Sequence, residues 1–209
     1  TYGDWSSDVC SSDLVKLLVA DVRDGQVVPV VAKDQTTRLG AGVHASRQLS
    51  QPAIERTVAA IADYVADARE HGVTEVVALT TSAARGAENQ QEFLAAVRKR
   101  CGLEVRVITG EREAELIYQG VASDPTLAGR RLLVMDIGGG SCEFIQGEGG
   151  MIERHQSLPV GAVRLTEKFG DDFPALAAFL RETFREALRG YSAVGRQFLA
   201  SGEIGRAHV

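Results

Sequence analysis

The strand and helix signals of this 209-residue chain run to about residue 122 and then start again at residue 131. That restart restricts the chain to folds made of two copies of one unit. In the first copy Val15 to Asp21 reads as an apolar strand, Asp24-Gly25 as a hairpin turn and Gln26 to Ala32 as its partner. Thr36 to Gly40 reads as a third strand, giving an antiparallel meander. Ser50 offers an N-cap and Pro52 an early-turn proline. Ile54, Val58, Ile61 and Val65 then recur at helical spacing until Gly72. Glu75 to Thr80 is a short buried strand, residues 89 to 101 a helix around Phe93, Leu94 and Val97, and Leu103 to Ile108 a further strand. Strand, helix, strand, helix predicts parallel neighbours. A third helix runs from about Glu111 to Ala122.

The second copy has strands at Arg131 to Asp136, Ser141 to Gln146 and Met151 to Gln156, with a turn at residues 147–150 between the last two. Helices follow at Val163 to Lys168 and Pro174 to Arg189, then a strand-like Gln197 to Ala200. Both copies read βββαβα, so the expected domains are 15–124 and 125–202, the second cut short. Residues 1–14 repeat Ser-Ser-Asp and show no period, and Glu203 to Val209 is equally out of pattern. Both ends are read as foreign. By the repeat, a strand and turn like Arg131 to Ser141 belong before Val15 and are expected to have been lost.

The chemistry concentrates in LLVMDIGGGSCEF, residues 132–144. Gly138, Gly139 and Gly140 free the backbone to aim several N–H groups at one spot, as a phosphate oxygen requires, and Ser141 opens the next strand. Asp136, at a strand end, can hold a divalent cation. A ligand-free glycine hairpin is the competing reading of three glycines alone. No Gly-Lys-Ser/Thr follows, so this is not a Walker loop, and no helix follows directly, so it is not a dinucleotide fingerprint.

On the third helix Glu113 shares a face with Leu116, Ile117, Gly120 and Val121, whereas Glu111 and Glu115 point elsewhere. A carboxylate aimed into an apolar seam is costly unless paired or used. The competing reading is a first-turn acid that serves only the helix dipole. Arg85, in TTSAARGA, follows a parallel-type strand at its carboxyl end, where a guanidinium can clamp phosphate. A solvated loop arginine is the alternative there, and Arg38 in TRLGAG is a weaker case of the same kind. Cys142 reads as a small buried side chain rather than a nucleophile.

The formal net charge of −5 offers no basic stripe for nucleic acid. No apolar run reaches the ~18 residues of a membrane span, and no signal peptide precedes the fold, so the expected compartment is the cytoplasm. The 3 cysteines form no CxxC pair and the 4 histidines no ligand spacing, which argues against zinc.

TRLGAG, TTSAAR, ITGEREAELIYQGV, LLVMDIGGGSCEF and LPVGAVRLTE, in that order, resemble the Ppx/GppA phosphatases, the exopolyphosphatases and guanosine pentaphosphate phosphohydrolases. The resemblance covers roughly Val15 to Ala200. It implies an α/β fold, the duplicated ribonuclease-H-like fold of the actin, sugar-kinase and chaperone ATPase superfamily, with the second half incomplete. It further implies Mg²⁺, release of terminal phosphate from polyphosphate and/or guanosine pentaphosphate, polyphosphate or guanosine penta- or tetraphosphate as the partner, and allows a homodimer. The family's catalytic glutamate falls on Glu113 and its metal-linked aspartate on Asp136. Its phosphate turn falls on Gly138 to Ser141, its cleft arginine on Arg85 and another cleft acid on Glu143. Two motifs depart: the first Asp-x-Gly phosphate turn is replaced by Ser11, Ser12 and Asp13, and the late glycine-threonine motif by EIGR. The 209-residue chain as written is therefore expected to turn over little or nothing. A kinase-like phosphotransferase and a non-catalytic guanosine-phosphate sensor are the alternatives.

Overall fold

The structure, a computed structural model, describes residues 14–23 and 26–202. The Asp24-Gly25 turn and the two ends read as foreign, Leu14 apart, lie outside the described residues. Contact density divides the chain into two compact units between Val107 and Ile108.

The first unit opens with an antiparallel hairpin of β1 (Leu14–Arg23) and β2 (Gln26–Thr36). The expected third strand at Thr36 to Gly40 does not form. Thr36 is the last residue of β2, and at Arg38 the backbone turns left-handed, with φ 53°. The turn buries Leu39 and leads to α1 (Val43–Ser46). A side chain in that backbone region is strained, so packing of Leu39 outweighs the local preference for extension. α2 (Gln51–Glu70) begins at Ser50, with Pro52 in its first turn as expected. It buries Ile54, Val58 and Val65 against Phe93 and Val97 of α4 (Gln90–Cys101). Each such side chain contributes about 1.5–3 kcal/mol by leaving water. Between the two helices lie β3 (Ala78–Thr80) and α3 (Ser82–Arg85), and β4 (Val105–Val107) follows α4. β3 and β4 are parallel, as predicted, though only three residues each. Of the residues read as strand before β3, Val76 and Val77 are exposed and unpaired in any ladder.

The second unit starts with α5 (Gly110–Ala122) and a single 3₁₀ turn at Pro125–Leu127. The expected boundary after residue 124 would have left α5 with the first unit. Its buried face instead packs on the sheet that follows it in the chain. That sheet comprises β5 (Arg131–Ile137), β6 (Cys142–Glu148), β7 (Met151–Leu158) and, at the end of the unit, β8 (Gln197–Gly202). The order is β7-β6-β5-β8. The first three are antiparallel, and β8 runs parallel to β5. Between β7 and β8 come α6 (Ala162–Phe169) and α7 (Phe173–Ala187).

Alternation along the strands gives the sheet two distinct faces. Leu132 and Val134 of β5, Ile145 of β6 and Leu199 of β8 pack under Ala114, Ile117, Tyr118 and Val121 of α5. Met135, Ile137, Cys142 and Phe144 form the opposite face, covered by Leu165 of α6 and Phe179, Leu180 and Phe184 of α7. Helices thus cover both faces of this sheet, and the face under α5 carries the polar residues described next.

Candidate functional site

Register turns the α5 face from apolar to acidic near the carboxyl end of β5. Val134 stands opposite Ile145 and Leu199. One pleat further on, Asp136 stands opposite Glu143 of β6 and Ser201 of β8, and Glu143 opposite Ser157 of β7. Directly opposed residues in a sheet share a face, so Ser157, Glu143, Asp136 and Ser201 form one row across four strands. Asp136 is 3% exposed and Glu143 0%.

Each carboxylate in the row is partnered by a serine at its outer side. Ser201 Oγ donates to Asp136 Oδ1 at 2.5 Å, and Ser157 Oγ donates to Glu143 Oε1 at 2.9 Å. Glu143 Oε2 is buried with no hydrogen-bond partner among the described residues. The Ser141 hydroxyl lies near enough to ease the charge on Glu143 without meeting hydrogen-bond geometry.

Glu113 reaches this face from above. It lies in the first turn of α5, whose start abuts β7: a Cβ added at Gly110 would sit 3.2 Å from Ser157 Cβ. Thr109 caps the helix, its side chain accepting from the Arg112 N–H at 3.2 Å. Glu113 is 2% exposed, while Glu111 of the same turn is exposed. A first-turn acid that only served the helix dipole would lie in water as Glu111 does. The predicted companions of Glu113 hold for Ile117 and Val121, whereas Leu116 is only half-buried and Ala114 and Tyr118 complete the stripe.

Glu113 and Asp136 both act on Glu143. Burial is the main cause that pushes the Glu143 carboxyl up to about 7, and the Glu113 carboxylate adds the next largest push. The Ser141 and Ser157 hydroxyls oppose the rise, and Asp136 adds to it. Cys142 is buried on the other face, and desolvation pushes its thiol up to about 12, so it is no nucleophile at neutral pH.

The glycine bend leaves β5 directly beyond Asp136 and Ile137. Gly138 N–H donates to Ser141 carbonyl at 3.0 Å, closing the bend, and Ser141 lies in it rather than opening the strand. None of Gly138, Gly139 and Gly140 takes a left-handed φ, contrary to the conformational reason expected for them. Close packing is the visible demand on small residues here. A Cβ at Gly161, just before α6, would fall 2.3 Å from the Gly139 carbonyl carbon and 2.4 Å from Gly140 N.

Arg85 ends α3 at the carboxyl side of β3, in the first unit, and is half-buried and engaged. The second unit thus brings together Glu113, Asp136, Glu143 and the bend Gly138 to Ser141. Sequence reasoning missed Ser157, Ser201, Gly161 and Arg164 of LPVGAVRLTE. Only the position of Ser157 and Ser201 at the ends of predicted strands could have hinted at the row.

Among the described residues no group of three or more His, Cys, Asp or Glu side chains is arranged to cage a metal ion. The buried Asp136 and the unpartnered Glu143 Oε2 nonetheless supply hard oxygen donors. Mg²⁺ is commonly held by one or two carboxylates together with phosphate oxygens and water, so the residues present suit it.

A model of the Ppx/GppA phosphatase family matches residues 18–207. Exopolyphosphatase 1 of Mycobacterium tuberculosis is 35% identical over 164 residues, which cover 78% of this chain and 48% of that protein. Among solved structures, an exopolyphosphatase from Cytophaga hutchinsonii matches with a TM-score of 0.82 at 28% identity, over 91% of this chain and 64% of that one. A Ppx/GppA family member from Aquifex aeolicus matches with a TM-score of 0.74 at 30% identity, over 91% and 63%. The chain spans about half the length of the mycobacterial relative.

Proposed function

The chain belongs to the Ppx/GppA phosphatase family, and from that membership we propose that it serves a hydrolase releasing terminal orthophosphate from inorganic polyphosphate, guanosine pentaphosphate or both. Its fold is the α/β, duplicated ribonuclease-H-like fold of the actin, sugar-kinase and chaperone ATPase superfamily. Polyphosphate is the first substrate to test, because the mycobacterial relative and the Cytophaga hutchinsonii structure named above are exopolyphosphatases.

One observation carries the reading: a carboxylate from α5, Glu113, is buried on the sheet face where Asp136 and Glu143 stand, at the end of β5 that leads into the glycine bend. The amides of the bend receive the terminal phosphoryl oxygens. Glu113 accepts a proton from water as its oxygen attacks phosphorus. The P–O bond to the remaining chain breaks, orthophosphate leaves, and the chain is one unit shorter. Asp136 and Glu143 would hold Mg²⁺, which supplies neutralisation of phosphoryl charge when bound. Most of the acceleration in such transfers comes from positioning and charge rather than from covalent chemistry.

The test is orthophosphate release from polyphosphate and from guanosine pentaphosphate, followed over long incubations because the family's first Asp-x-Gly phosphate turn is replaced by Ser11, Ser12 and Asp13. Glu113→Gln should lower whatever rate is found by about 10²–10⁴-fold. Release that persists in Glu113→Gln, or that requires a second phosphoryl acceptor besides water, overturns the hydrolytic reading. Tight guanosine-phosphate binding with no product in either protein would mark a sensor instead.

A further inference from the structure

The carbonyl side of the glycine bend is occupied by α6. Ala162 N–H donates to Gly138 carbonyl at 2.9 Å, Arg164 N–H to Gly139 carbonyl at 3.2 Å, and Arg164 Nε to Gly140 carbonyl at 3.0 Å. Three successive carbonyls are therefore each held by a donor from the first turn of one helix. Two of those donors belong to the backbone N–H groups that a helix start leaves without intrahelical partners. The approach is close enough to exclude a side chain at Gly161, whose Cβ would overlap the Gly139–Gly140 peptide.

In a planar trans peptide the C=O of one residue and the N–H of the next point in opposite directions. Fixing the carbonyls of Gly138, Gly139 and Gly140 toward α6 therefore turns the N–H groups of Gly139, Gly140 and Ser141 away from it. Those three N–H groups donate to nothing among the described residues. Glycine peptides flip at little steric cost, and each flip would replace a donor by a carbonyl oxygen that repels phosphate.

We infer that Arg164 and Gly161 are positioning residues, which lock the three peptide planes of the bend so that its amides face outward as a preformed anion cradle. This rests on the phosphate reading of the bend given above. Arg164 acts through the Gly140–Ser141 peptide and does not itself touch the phosphoryl group.

The inference is tested on the full 209-residue chain, isotopically labelled so that the amide resonances of Gly139, Gly140 and Ser141 can be followed while inorganic phosphate is titrated in with Mg²⁺ present throughout. In the wild type all three should shift. Arg164→Ala should move the Ser141 resonance already in the free protein and weaken phosphate binding about tenfold, the size expected for losing a hydrogen bond from a charged donor. Arg164→Gln, a neutral donor, should recover part of the affinity, whereas a purely electrostatic arginine would be replaced by Arg164→Lys and not by Gln. Gly161→Ala should weaken binding more strongly, and if it fails to fold, the Arg164 series decides alone. Wild-type phosphate binding that Arg164→Ala leaves unchanged, with an unmoved Ser141 resonance, overturns the lock and spares the phosphate reading. A wild type whose bend amides ignore phosphate overturns both.

Discussion

Glu143 is the residue whose environment has the sharpest measurable consequence. Its carboxyl is pushed up to about 7, first by burial and then by Glu113, from an ordinary value of 4.5. The folded protein thus holds a proton that the unfolded chain gives up near pH 4.5. Stability from this group is complete below about pH 4.5 and is lost as pH rises through about 7. In EDTA, the melting temperature should fall over that window, and Glu143→Gln should flatten the slope and raise the melting temperature at pH 8. A slope unchanged by the substitution would place the titration elsewhere. The sequence made Glu113 legible because helical spacing alone puts it beside Ile117 and Val121. Ser157 and Ser201 were not legible, because their importance lies in which residue of another strand stands opposite, and that is a matter of register.

Among the elements, α5 is the one on which the site depends, since it carries Glu113. Its seat is the place where Tyr118 lies over Gly147 of β6, at a register shift between Gln146 and Gly147. A Cβ at Gly147 would come within 2.5 Å of the Tyr118 hydroxyl and 2.4 Å of the Met151 carbonyl oxygen. Gly147→Ala should destabilise the protein by about 1–3 kcal/mol in urea denaturation, as overpacking generally does. Tyr118→Phe should cost little, because that hydroxyl is buried with no hydrogen-bond partner among the described residues. If Gly147→Ala proves neutral, the tyrosine does not set the height of the helix. The sequence placed α5 within two residues of its observed ends and drew a boundary after residue 124, whereas contact density divides the chain before the helix. Helical period shows that a face is apolar and cannot show which sheet will cover it.

For the whole molecule the governing fact is an acidic chain, formally −5, proposed to act on a polyanion. Three buried carboxylates near the bend would repel phosphate unless a divalent cation offsets them. Polyphosphate binding should therefore vanish in EDTA and return with Mg²⁺. Binding that survives EDTA would show that backbone amides suffice. The sequence by itself determined the order of strands and helices from β5 to β8 and the sheet-end aspartate followed by three glycines, and it placed Glu113 on the apolar face of α5. These follow from period and from turn chemistry, which act over a few residues. Tertiary structure alone decided that Ser157, Glu143, Asp136 and Ser201 share one row, that Arg38 bends the chain where a strand was expected, and that α6 holds the carbonyls of the bend. Each of these brings together residues far apart in the chain or sets packing against local preference, and the free energy that selects them appears only when the elements close on one another.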